Sequence, residues 1–451
     1  MPLPSLTRDS DTTRPPVRMV HLGLGAFFRA HQAWYTAASS PDWGIAAFTG
    51  RGPEAAERLA RQDGVYTLVE RGPTGDRHHQ IDSIVETHDG ADQAALNALV
   101  TRPEVTVVTL TVTEKGYRLD ADGQLDATDP DVTADARELS RDLATSRALR
   151  TVPARLLAAL YARHRAGAGP IAVIPCDNLP ANGRTVHGAL QGMARLAHSD
   201  PTWLEQTVDF ISTSVDRITP RTTHGDVIAV HAACGYKDTA PVIAEPFTSW
   251  VLSGTFRAPR PPWERAGATI VGDIEPFERR KLWLLNGAHS LLAYSGLLRG
   301  HETVEQAVTD PQCRTQMRDL WALAITHLPE HADLRTTEYC AALEARFANP
   351  RMSHSLHQIA ADGTLKLRAR LVDLTLDERS AGRDAEAAVA AIRAWVRYVV
   401  SELSAGRTVE DTAASQIAAA MRKSDPVHGL ISLLSPKLAA DVDLVQQVRV
   451  G

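Results

Sequence analysis

One short segment, Lys281-Leu-Trp-Leu-Leu-Asn286-Gly-Ala-His289, carries an amine, an amide and an imidazole among leucine, tryptophan and alanine. On a helix turning about 100° per residue the three polar groups share an arc of roughly 140°, and apolar side chains fill most of the remainder. Such a helix is buried, and polar groups carried inside it need partners. Burial also lowers the pKa of a lysine, which turns an ammonium into a neutral amine able to take a proton. The alternative is a lysine that reaches solvent while Asn286 and His289 bond to backbone. Only six of the 48 basic residues are lysines, at positions 115, 237, 281, 366, 423 and 437. Arginine in practice cannot release its proton, so in this chain a lysine raises the question of proton transfer.

Three further constellations can do chemistry. Ile171-Ala-Val-Ile-Pro175 runs as a strand into Cys176-Asp177-Asn178, at the sheet edge where open α/β sheets bind ligands, and an asparagine amide there can donate to a developing alkoxide. An Asx turn before Pro180 is the other use of the same residues. Gly23-Leu-Gly25 follows a first apolar run, a place where a pyrophosphate can approach backbone N–H groups at a helix N-terminus. Phe28 stands where the usual fingerprint has its third glycine, and a plain tight turn is the alternative. The acid expected after the second strand is absent; Thr49-Gly50-Arg51 stands there, and Arg51 suits adenine, a 2′-phosphate or neither. Val215-Asp216-Arg217-Ile218-Thr219-Pro220 sets an acid beside a base, which can equally be a solvated ion pair. His187, His224 and His231 lack metal-ligand spacing, so no metal site is expected.

The elements that must position these residues alternate. Strands are expected at Arg18 to Gly23, Trp43 to Phe48, Val105 to Leu110 and Ile171 to Pro175, with helices at Thr133 to Ser146 and Ala154 to His164 between them. Further apolar runs at Val208 to Ile211 and Val227 to Val230 would extend or edge the sheet. This predicts an α/β fold, an expanded Rossmann-type parallel sheet domain. Between Thr255 and Gly267, Pro259, Pro261 and Pro262 stand with three arginines, the composition of a surface connection. The expected division is therefore a dinucleotide-binding domain over 1–262 and a mainly α-helical C-terminal domain over 263–451. The helical pattern there covers Glu275 to Leu298, Val304 to His327, Glu338 to Phe347, Ala385 to Leu403, Ala413 to Met421 and Leu438 to Val448.

Length and composition exclude several classes. At roughly 100–200 residues per domain, 451 residues make two or three cores, not a small binding module. No stretch approaches the ~18 uninterrupted apolar residues of a membrane span. A formal charge of −6 offers phosphate backbones no basic field, so nucleic acid is not expected as a partner. Cys176, Cys234, Cys313 and Cys340 are widely spaced, which argues against disulfides and zinc knuckles. Met1 to Pro16 lacks the apolar core of an export signal, so the cytoplasm is expected.

Taken in order, these segments resemble the polyol-specific long-chain dehydrogenases, the family of mannitol 2-dehydrogenase, fructuronate reductase and mannonate oxidoreductase. The resemblance runs through His21-Leu-Gly-Leu-Gly25-Ala-Phe27, Arg29-Ala-His31-Gln32-Ala33, Thr111-Val-Thr113-Glu114-Lys115-Gly116-Tyr117 and Cys176-Asp177-Asn178. It continues through Val215 to Pro220, Glu245-Pro246-Phe247, Lys281-x4-Asn286-x2-His289 and Asp362-Gly363-Thr364-Leu365-Lys366. It implies zinc-independent hydride transfer between a nicotinamide cofactor, NAD with NADP still open, and a secondary alcohol. It implies Lys281 as general base, Asn178 and Asn286 as holders of the partly formed alkoxide, and His289 as the group fixing a substrate hydroxyl and the lysine. Asp216, Gln358 and Lys366 are carried over as substrate-binding residues, and Gly23, Gly25, Ala26, Phe27, Arg51 and Glu114 as cofactor-binding.

Three departures bear on substrate. Gln358 stands where some mannitol-oxidising members have arginine, Thr364 replaces a common serine, and Phe28 stands where many relatives have histidine. They look closer to the fructuronate reductase side or to less specialised polyol dehydrogenases; a ketose/polyol pair such as fructose and mannitol still ranks slightly ahead of a hexuronate, fructuronate with mannonate, whose carboxylate would want Arg29, Lys366 or Arg368. The rival of another class is a nicotinamide-binding sensor that has lost catalysis. A small-molecule substrate and a monomer or homodimer complete the expectation.

Overall fold

The computed structural model describes residues 3–9, 13–50, 52–352 and 354–450, and the chain divides into two compact units, Met1–Glu275 and Pro276–Gly451. The strands of the first unit are β1 (Val17–Leu22), β2 (Gly44–Phe48), β3 (Tyr66–Gly72), β4 (Gly75–Ile81), β5 (Ile84–His88), β6 (Val107–Leu110), β7 (Ile171–Pro175), β8 (Val208–Phe210), β9 (Ser212–Asp216), β10 (Val242–Ala244), β11 (Ser249–Ser253) and β12 (Thr269–Val271). Six of them form a wholly parallel sheet in the order β5-β2-β1-β6-β7-β8. The order reverses between β1 and β6, and a ligand crevice opens at such a switch point. Leu22 pairs with Phe48 on one side and Leu110 on the other, so three strands end level there.

The strand sequences explain the layering. β2, β6 and β7 are buried at every residue, as continuous apolar runs covered on both faces must be. Alternate residues serve opposite cores: Val20, Leu22, Phe48, Val108 and Val173 join one cluster, and Met19, Ile45, Ala47, Val107 and Ala172 the other. Two three-stranded sheets complete the unit, β10-β3-β4 and β12-β11-β9. The chain passes from the main sheet to the latter at Ile211, whose N–H donates to Val173 O at 3.0 Å. The proline-rich stretch after Thr255 stays with the first unit, since Trp263 is fully buried and donates its indole N–H to Thr36 Oγ1 at 3.2 Å.

Val208 to Ile211 supplies the edge strand, as expected, but Val227 to Val230 is not a strand. It lies inside a helix, His224–Cys234, which a capping box starts: Thr223 Oγ1 accepts from Asp226 N, and the Asp226 carboxylate accepts from Thr223 N. Two satisfied N-terminal donors outweigh the β-branched run that follows.

The second unit is helical. Its first segment runs from Glu275–Arg280 through Lys281–Gly287 to Ala288–Leu298. The helix expected over Val304 to His327 breaks at Asp310, whose carboxylate accepts from Gln312 N and Cys313 N ahead of Pro311. That from Leu438 to Val448 resolves into Pro436–Ala440 and Val442–Val450. No helix among the described residues is long and apolar enough to cross a membrane.

Candidate active site

In the first unit the turn after β1 is built for close approach. Gly23 has φ +110, and a side chain there would run into the Thr111 carbonyl at the end of β6. Gly23 and Leu24 both donate to Phe48 O at 2.9 Å, and Thr111 Oγ1 donates to Gly23 O at 2.8 Å. Gly25 is exposed and caps the helix Ala26–Ala30 without a side chain of its own, and a Cβ there would meet only Gly23 O, at 3.6 Å. Glycine backbone, helix N-terminus and the switch point thus fit a dinucleotide pyrophosphate.

His21 lies beneath this turn, fully buried, between Thr109 Oγ1 at 2.8 Å and Thr111 Oγ1 at 3.0 Å. Burial pushes its pKa down to about 3, so the ring is neutral. Phe28 is parallel to it at 3.5 Å between centroids. The third glycine of the fingerprint is therefore replaced by an aromatic stack that closes the turn from below. Phe27 is half-buried against the His31 ring, and Glu114 is exposed in a single helical turn after β6. Arg51 lies outside the described residues.

Asn178 is exposed after β7, while its neighbour Asp177 is buried and committed. The Asp177 carboxylate accepts from Tyr117 Oη at 2.5 Å, from Leu179 N at 2.9 Å and from Asn182 Nδ2 at 3.3 Å. The Asx turn is real, and Asp177 makes it; Asn178 is the residue it presents. Asp216 ends β9 and is buried. Its neighbour Arg217 is not half of a solvated pair, because it is buried against Glu70 at 2.7 Å and also donates to Ala30 O and Glu245 O. Arg217 is a structural cation, and the partner that neutralises it is distant in sequence.

In the second unit, Lys281–Gly287 widens into a π-helix, with hydrogen bonds from i to i+5. Lys281 and Asn286, five residues apart, are therefore separated by one π-turn and lie within roughly 50° of each other around the axis, where a regular helix would separate them by roughly 140°. Lys281 and Asn286 are half-buried and His289 is buried. The His289 ring lies 4.6 Å from Phe347 and edge-on to His354 at 5.2 Å. Its Nε2 is buried with no protein partner among the described residues. Burial first, then His354, Arg370, Arg346 and Lys366, hold its pKa well below the ordinary range.

Lys366 is half-buried, donates to Ile359 O at 3.0 Å, and has its pKa lowered by burial and next by Arg370. Gln358 is exposed on the short helix Leu356–Ala360. Thr364, the serine replacement, donates through Oγ1 to Asp411 at 2.5 Å and through N at 2.8 Å, so that block is pinned by the connection between the helices Glu386–Ser404 and Ala414–Met421. Of the other cations considered for a carboxylate, Arg29 is held by Ala240 O and Gly25 O, and Arg368 by Leu433 O. Arg370 and His354 are the residues that sequence reasoning missed. Neither sits in a motif, and both reach His289 only through folding.

Residues 17–265 match the mannitol dehydrogenase Rossmann domain, and residues 273–450 the mannitol dehydrogenase C-terminal domain. The chain belongs to the mannitol dehydrogenase family. Members similar to it include D-mannonate oxidoreductase of Escherichia coli K12, 35% identical over 90% of this chain and 85% of that protein. Mannitol 2-dehydrogenase of Cereibacter sphaeroides is 34% identical over 90% and 86%. Among solved structures, Pseudomonas fluorescens mannitol 2-dehydrogenase, in ternary complex with NAD and D-mannitol, superposes with a TM-score of 0.80 at 31% identity, covering 99% of this chain and 93% of that one. A substrate-free D-sorbitol dehydrogenase reaches 0.87 at 27% identity, covering 99% and 95%. As a member of the mannitol dehydrogenase family, this chain is an oxidoreductase with a Rossmann-type domain and a helical C-terminal domain.

Proposed function

We propose that the protein interconverts a secondary alcohol of a sugar alcohol and the corresponding ketose, such as mannitol and fructose, with NAD. The observation that carries this reading is the π-turned helix, which brings Lys281 and Asn286 toward one side and carries on to His289, whose Nε2 is buried with no protein partner among the described residues. A buried polar atom of that kind calls for a hydrogen bond from outside the protein, and a substrate hydroxyl supplies one.

The bound nicotinamide supplies the two-electron hydride acceptor or donor. In the oxidative direction Lys281 Nζ, as the neutral amine, takes the hydroxyl proton; in reduction the ammonium returns it. The amides of Asn286 and Asn178 are assigned to the oxygen on which charge builds, as preorganised donors. His289 stays neutral and orients a neighbouring hydroxyl. Asp216, Gln358 and Lys366 are assigned to the rest of the substrate, and Gly23, Gly25, Ala26, Phe27, Arg51 and Glu114 to the cofactor. No metal enters the scheme. We place the enzyme in the cytoplasm as a monomer or homodimer.

One observation favours a second reading. Lys366, Arg370 and Arg346 all act on His289 as positive charges, a surrounding suited to a hexuronate carboxylate. The deciding experiment follows NADH oxidation, repeated with NADPH, against fructose, tagatose, xylulose, ribulose, fructuronate and tagaturonate. Preference for a neutral ketose supports the polyol reading, preference for a uronate replaces it with the second, and no turnover with any of them contradicts both.

A further inference from the structure

The helical unit holds a second π-turn, Arg368–Val372, which packs against the first. Leu371 meets Gly287 so closely that a Cβ on the glycine would lie 3.4 Å from Leu371 Cδ2. Where a helix returns from i→i+5 to i→i+4 bonding, the change of register leaves a carbonyl over, and a buried carbonyl needs a donor. Two side chains from other helices supply donors to this segment. Trp321 Nε1 donates to Leu284 O at 2.7 Å. Arg370 Nη1 donates to Asn286 O at 3.1 Å and to Ser290 Oγ at 2.9 Å. Asn286 and Ser290 flank His289 and lie one regular turn apart. Arg370 therefore staples the helix at the point where its register changes, between the amide and the imidazole assigned to substrate.

We propose that Arg370 is a positioning residue of hydride transfer: its bridge from the Asn286 carbonyl to Ser290 holds the π-turn in the register that brings Lys281 and Asn286 toward one side and aims His289. The inference rests on the proposed function, because it assigns Arg370 no contact with substrate. The same guanidinium, with His354, Arg346 and Lys366, faces His289 and opposes its protonation. Two effects follow from one side chain. Both hydrogen bonds leave Nη1 at the end of the long guanidinium arm, so the geometry depends on the reach and fixed direction of that arm, and the charge only on the cation.

The test compares Arg370→Met and Arg370→Lys in the full-length protein, measuring kcat and KM across pH with the best ketose, NADH affinity by fluorescence, and folding by circular dichroism. In Arg370→Met kcat is expected to fall about 100-fold, the scale of a misplacement of about 1 Å, with NADH affinity unchanged. The acid limb of kcat/KM should move to higher pH, because removal of a cation lets His289 take a proton more readily. Arg370→Lys should keep the limb at its native pH and still lose kcat. Native kcat in Arg370→Met overturns the proposal, as does a loss matched by the unfolded fraction with the limb unmoved. If Arg370→Met does not fold, Arg370→Lys decides: reduced kcat in a folded protein supports the role and native kcat overturns it. Lys281→Ala is run alongside. Normal turnover in that variant removes the proposed function itself, whereas an inactive Lys281→Ala beside a native Arg370→Met removes only the inference.

Discussion

At the scale of single residues, each polar group on the Lys281 helix has a different need. A lysine serves as base only as the neutral amine, an asparagine holds an oxyanion only if its amide is prepositioned, and a neutral imidazole orients a hydroxyl without adding charge. Lys281→Ala should lower kcat at neutral pH by about 10²–10⁴-fold, the usual contribution of a general base, while NADH binding stays nearly intact. Steady-state rates with fluorescence titration of NADH measure both. Native protein that binds NADH but turns over no substrate would be the sensor. The types and spacing of Lys281, Asn286 and His289 were legible because they lie on one segment. Arg370 and His354 were not, because each comes from another part of the helical unit, Arg370 to bond Ser290 beside His289 and His354 to meet the His289 ring.

At the scale of elements, the β1 turn shows how a departure from a motif is absorbed. Phe28 in place of glycine looks unfavourable for a dinucleotide fingerprint, yet it is buried on the His21 ring and leaves Gly25 exposed at the helix start. Gly23 has no such freedom, since its φ of +110 and the Thr111 carbonyl both exclude a side chain. Gly23→Ala should destabilise the protein by roughly 1–3 kcal/mol, the cost of a strained backbone position, and should weaken NADH more than substrate. Thermal melts with and without NADH read the first effect, and KM values for the two ligands read the second. The helix His224–Cys234 shows the opposite case. A run of four apolar residues reads equally as strand or helix, and the capping box beside it was the better signal.

At the scale of the whole molecule, buried histidines set the response to acid. His21 is neutral when folded, with a pKa near 3 against an unfolded value of about 6.5. Between those values the unfolded chain binds the proton and the folded one does not, so stability rises with pH and is lost as pH falls below about 6.5. The slope is about 1.4 kcal/mol per pH unit for each such group, and His289 adds to it in the same direction. Denaturant midpoints taken from neutral pH down to the carboxylate range should fall steadily, and His21→Gln should flatten the fall; an unchanged slope in that variant would contradict the assignment. The alternation of strands and helices, the parallel sheet and the helical C-terminal unit were determined by the sequence, because periodicity, glycine and caps act over a few neighbouring residues. Other features only the tertiary structure decided: the π register that brings Lys281 and Asn286 toward one side, the pairing of Arg217 with Glu70, the stack of Phe28 on His21 and the staple by Arg370. Each depends on groups brought together by folding or on a backbone register that tertiary contacts hold, and no local spacing encodes which groups will meet.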